Sequence, residues 1–98
     1  MSIENIKADN PIIYLKSLNQ VPRFLNVEPN GNYEDPEIIG NFLEEHIMLP
    51  ESIGYLNSGN VYAVISNSEE DKLRKSLEES ESVKNVNVSE FRTYDTWF

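Results

Sequence analysis

The sequence predicts an α+β domain of ferredoxin-like βαββαβ order: a four-stranded antiparallel sheet with two helices on one face, preceded by a short N-terminal helix. Three observations lead there. Val61-Tyr62-Ala63-Val64-Ile65 is apolar at both parities, which marks a central strand covered on both faces. Ile53-Gly54-Tyr55-Leu56 reaches it through Asn57-Ser58-Gly59-Asn60, whose Asn and Gly tolerate the positive φ angles of a hairpin turn. Helical periodicity flanks this hairpin on both sides, and two right-handed crossovers of that kind build such a sheet.

The elements follow in order. Residues 1–9 are polar and are expected to be loosely held. Asn10-Pro11 opens Ile12-Ile13-Tyr14-Leu15-Lys16-Ser17-Leu18, which reads two ways. Asn10 as a cap with Pro11 at the first helical position favours a helix with Ile12, Leu15 and Leu18 on one stripe. The β-branched pair and the tyrosine suit a strand. Val21-Pro22 breaks the chain, and Arg23 to Val27 forms the first strand, ended by Pro29. Asp35-Pro36-Glu37 is the clearest helix start: a capping carboxylate, a proline whose missing donor does no harm, and an acid at the positive helix end. Ile38, Ile39, Phe42, Leu43 and Ile47 then recur at helical spacing as one buried face, up to a stop near Met48 before Pro50. Gly40, mid-helix, points to close packing on the sheet.

Strands are expected at about 53–57 and 60–66. Ser68 with Asp71 reads as the capping box of a second helix, whose narrow stripe, Leu73 and Leu77, places it on the surface. Val86 and Val88 alternate with Asn87 and Ser89 in a last strand that Phe91 ends or bulges. Tyr94, Trp97 and Phe98 form a tail apolar enough to pack on something.

Ninety-eight residues make one domain, residues 1–98, with no room for a second core. The absence of cysteine removes disulfides, thiol catalysis, zinc–thiolate sites and iron–sulfur clusters. No stretch reads as a signal peptide or reaches the ~20 apolar residues of a membrane span, so the expected location is the cytoplasm. Without a secretion signal, the sequon Asn87-Val88-Ser89 is a chance match.

No catalytic, cofactor or metal constellation emerges. His46 is the only histidine, and Phe42 and Pro50 occupy the positions where a partner ligand would stand. It is read as a helix-end histidine favoured by the dipole. Glu44–Glu45 and Glu78–Glu79 are sequence neighbours, about 100° apart on a helix, so neither is a glycosidase-type pair. Ser58-Gly59-Asn60-Val61-Tyr62-Ala63-Val64 invites comparison with the third strand of an RNA-recognition motif, but Ser58 replaces the basic residue, Tyr62 stands alone, and the surrounding charge repels phosphate.

Charge is the remaining signal. Seventeen acids face eight bases, for a net charge of −9. No Lys or Arg occurs from Phe24 to Asp71, while that span holds ten carboxylates. A solubilising surface explains such a span, and so does a carboxylate array built for a basic partner. Grooves that neutralise nucleic acid are lined with Lys and Arg, and an acidic domain can occupy one. The expected function is therefore a non-enzymatic, inhibitor or immunity-type domain, a nucleic-acid mimic from a phage or mobile element. Glu28, Glu34, Asp35, Glu37, Glu44 and Glu45 would contact a basic, nucleic-acid-binding protein, with no direct binding of nucleic acid. The alternative is a regulatory or small-molecule-binding domain of the same fold, dimeric through a sheet edge or the aromatic tail.

Overall fold

The structure, a computed structural model, describes residues 10–90. The N-terminal segment 1–9, the aromatic tail Tyr94 to Phe98 and the expected irregularity at Phe91 lie outside the described residues. The chain is α+β: α1 (Pro11–Ser17), β1 (Pro22–Pro29), α2 (Asp35–His46), a 3-10 turn (Pro50–Ser52), β2 (Gly54–Tyr55), β3 (Val61–Ser66), α3 (Glu70–Glu78) and β4 (Val83–Glu90). The four strands form one antiparallel sheet in the order β2-β3-β1-β4, with three helices. No helix among the described residues is long and apolar enough to cross a membrane.

Residues 11–18 resolve as helix, because local hydrogen bonds outweigh the β-propensity of the two isoleucines. Asn10 Oδ1 accepts the Ile13 N–H at 3.1 Å, and Pro11 occupies the first turn. Asn19, at φ 60°, reverses the chain, and the Asn19 and Gln20 N–H groups return to the Lys16 and Leu15 carbonyls, a Schellman end. Leu15 is fully buried, but Leu18 falls at the cap and is exposed, which shortens the expected stripe.

β3 is central and covered on both faces. Odd-numbered Val61, Ala63 and Ile65 join Leu25 and Val27 of β1, Val86 of β4, Ile39 and Leu43 of α2, and Leu73 and Leu77 of α3 in the main core. Val64, on the opposite face, packs with Leu15 of α1 and Leu49. α1 thus supplies the second cover.

Three boundaries move. Glu34, not Asp35, is the N-cap residue of α2, and Asp35 Oδ2 accepts the Asn32 N–H at 2.9 Å from within the first turn. The expected Ser68–Asp71 capping box does not form: Glu69 is the N-cap residue of α3 with no side-chain cap, and the side-chain bonds lie in the turn between β3 and the helix. Glu69 Oε2 accepts the Ser66 N–H at 2.8 Å, and Ser66 Oγ accepts the Ser68 N–H at 3.1 Å. β2 pairs over only two residues, since the chain enters it from the 3-10 turn. There Ser52 Oγ replaces a strand: it accepts the Val64 N–H at 2.9 Å and donates to the Leu49 carbonyl at 2.7 Å.

The two interior glycines make room for aromatic rings rather than for backbone. A Cβ at Gly40 would meet the Tyr55 hydroxyl, and one at Gly54 would meet the Tyr62 ring. Gly40 therefore marks close packing, as expected, against a side chain of β2.

Ser52→Ala leaves the buried Val64 N–H without an acceptor. We expect a loss of about 1–3 kcal/mol in denaturant unfolding and faster exchange of the Val64 amide. Unchanged stability and exchange would show that water replaces the hydroxyl.

Candidate functional site

Folding sorts nine of the described carboxylates into three groups. The first meets bases: Arg23 and Lys84 from distant parts of the chain, and Arg74 from the same helix as Glu70. Lys84 Nζ lies 3.6 Å from Glu28 Oε2. Arg23 Nε donates to Glu70 Oε1 at 2.9 Å, Arg23 also reaches Glu90 at 3.4 Å, and Arg74 approaches Glu70 at 4.0 Å. These pairs tie β1 to β4 and to α3.

The second group serves backbone donors. Asp35 is 2% exposed and holds the Asn32 N–H, so it presents no surface to a partner. Glu69 bridges two segments: Oε1 accepts the Met48 N–H at 2.9 Å and Oε2 accepts the Ser66 N–H. The loop after α2 is thereby fastened to the turn before α3.

The third group is on α2. Glu34, Glu37, Glu44 and Glu45 are exposed, and none forms an ion pair with another described residue. Each helical residue advances by about 100°, so these four and Asn41 fall within roughly 100° of arc, along about 16 Å of axis. They form one stripe. Of the six carboxylates expected to act together, four are gathered here. Glu28 lies in β1 beside Lys84, and Asp35 is buried.

Ile38 borders the stripe. The sequence places it on the buried face, but it is 45% exposed. The signal was available: five apolar positions from Ile38 to Ile47 span more arc than one helix can bury, and Ile38 lies nearest Glu34 and Glu45 in that arc. Tyr33, just ahead of the helix, is 99% exposed.

Beside the stripe, Gly40, Glu44, Pro50, Glu51, Ile53 and Tyr55 line an open depression of about 450 Å³. It offers carboxylates and a phenol but no nucleophile paired with a base. His46 closes the last turn of α2. Its Nδ1 donates to the Phe42 carbonyl at 2.8 Å, and its ring stacks on Phe42 with centroids 4.3 Å apart. Among the described residues, no three of His, Cys, Asp and Glu converge to hold a metal ion.

On the other face of the sheet Phe24 stacks on Tyr62, with centroids 6.0 Å apart and planes 12° from parallel. The β1–β3 register makes them diagonal neighbours, which corrects the expectation that Tyr62 stands alone. The basic residue a phosphate-binding sheet needs before Gly59 is still Ser58.

No protein family, curated protein or solved structure matches the chain.

The three groups separate by stability. Glu69→Ala should cost about 1–2 kcal/mol, like the loss of a helix cap, and Asp35→Ala a similar amount. Glu34→Ala, Glu37→Ala, Glu44→Ala and Glu45→Ala should each stay within about 0.5 kcal/mol, as surface substitutions do. Chemical denaturation checks this, and a large loss at Glu37 or Glu44 would give the stripe a structural role.

Proposed function

We propose that this chain is a ferredoxin-like, non-enzymatic binding domain that uses the acidic stripe of α2 to engage a basic protein surface, one that itself handles nucleic acid. The strand order, with one helix in each crossover, supports the fold reading. The functional reading is carried by a single observation: Glu34, Glu37, Glu44 and Glu45 share one exposed helix face without a cationic partner among the described residues.

Magnitudes define what such a stripe can do. Four charges on about 16 Å of helix are sparser than the phosphates of one DNA strand, spaced roughly 3.4 Å along the axis. The stripe therefore stands in for a short stretch of backbone. Exposed ion pairs contribute about 0.2–1 kcal/mol each, so charge alone gives steering and selectivity more than tight affinity. Ile38, exposed at the edge of the stripe, supplies the apolar contact that charges lack. The domain acts by occupancy: it covers Lys and Arg side chains that would otherwise meet phosphate. The inhibitor or immunity-protein role, in the cytoplasm, is the biological form of this reading.

The test is competition. With a basic nucleic-acid-binding protein as partner, the chain should displace a fluorescently labelled duplex, and displacement should fade as salt rises. Glu37→Lys combined with Glu44→Lys should weaken it by about tenfold or more, the equivalent of ~1.4 kcal/mol. Asp71→Lys should leave it unchanged. Displacement insensitive to salt and to the α2 reversals would defeat the proposal.

A further inference from the structure

We infer that the outer edge of β4 is a homodimer interface, at which two copies pair antiparallel about Asn87 to make one continuous eight-stranded sheet.

Backbone phase is the first ground. Residues along an antiparallel strand alternately turn their N–H and C=O to one neighbour and then to the other. The Asn67 N–H donates to the Val21 carbonyl at 2.8 Å, extending the β1–β3 ladder by one pair. Val21, Arg23, Leu25 and Val27 therefore face β3, which leaves Phe24, Asn26 and Glu28 facing β4. Their register partners are Ser89, Asn87 and Asn85. The far side agrees: Leu56 N–H donates to Asn60 O, and Val64 N–H to Ser52 Oγ, both at 2.9 Å, so the even residues of β3 face β2. In β4, then, Val86, Val88 and Glu90 point their backbone groups away from the sheet, and no described residue pairs with them.

The two sheet edges are treated differently. At the β2 edge the strand is two residues long, and Ser52 occupies the place beyond it. β4 is eight residues long and contains no proline. Its register against β1 runs Glu28↔Asn85 and then Pro29↔Val83, so Lys84 is the extra residue of a bulge. The bulge confines irregularity to the start of the strand, and Asn85 to Glu90 stays regular. An edge of this length, unblunted beyond its first residues, is a template for another strand.

The sequence of the edge selects a second copy of itself. Val86-Asn87-Val88 reads the same in both directions about Asn87. With the dyad there, Val86 faces Val88 of the second copy on the helix-covered side, where both already pack on the core. These are the outward-facing residues, so the two Val pairs exchange four backbone hydrogen bonds. On the other side of the sheet Asn87 faces its own copy and Asn85 faces Ser89. No like charges oppose one another.

Electrostatics agrees. Residues 24–68 carry seven acids and no Lys or Arg, a charge of −7, whereas residues 69–90 carry seven acids and four bases, a charge of −3. α3, which holds three of those bases, packs on β4, whereas α2 packs on β1, β3 and the 3-10 turn. Pairing through β4 joins the less acidic flanks of two strongly negative chains and keeps their α2 stripes apart.

Analytical ultracentrifugation of the full chain over a concentration series should show a species of twice the 11.3 kDa chain mass. Asn87 is exposed, so Asn87→Lys and Asn87→Glu should fold normally by circular dichroism. Each alone should sediment as monomer, because like charges meet on the dyad. Mixed in equal amounts, the two should recover the dimer. Amide exchange at Val86 and Val88 should slow as concentration rises, while Asn85, Asn87 and Ser89 stay protected throughout. A wild type that is monomeric at every concentration would overturn the inference. So would a dimer indifferent to both substitutions.

Discussion

Everything in this fold answers to one constraint: β3 is apolar at both parities, so it needs cover above, below and along each edge. Val61, Ala63 and Ile65 are buried beneath the two longer helices. Val64 turns to the opposite face and brings in α1 through Leu15, with Leu49 from the loop after α2. Where β2 is too short to complete the ladder, a serine hydroxyl does so. Each device removes a buried polar group or an apolar surface from water, and no buried side-chain polar atom among the described residues lacks a partner.

The same packing sorts the charge. Crossing the sheet brings Glu70 of α3 to Arg23 of β1 and Lys84 of β4 to Glu28 of β1. Two further carboxylates, of Asp35 and Glu69, are drawn inward because turns expose backbone donors that need acceptors. What remains on α2 is the residue of that process. Its acidity is consumed by no ion pair or backbone contact among the described residues, a state it shares with the exposed Asp71, Glu78, Glu79 and Glu81; what sets it apart is its alignment along one helix face.

Much of the architecture was legible because it depends on short-range rules. Pro36 with acids beside it begins α2, the Asn57-Ser58-Gly59-Asn60 link joins β2 to β3, and the apolar run of β3 announces its central place. Residues 11–18 were ambiguous because β-propensity and capping signals disagree there, and the Asn10 cap and the Asn19 reversal decide it. The exact caps eluded the pattern because several Ser, Asp and Glu residues compete for each helix start. Only the folded geometry shows which oxygen reaches which N–H.

By itself the chain determined the order of elements, the identity of the central strand and the lack of bases between Phe24 and Asp71, all of them matters of local period and composition. Tertiary structure alone decided which carboxylates share a face. Sequence separation does not encode the distance from Glu28 to Lys84, which arises when β1 and β4 meet in the sheet, nor the degree to which Asp35 is buried. A count of charges is additive along the polypeptide, but their arrangement is set by packing.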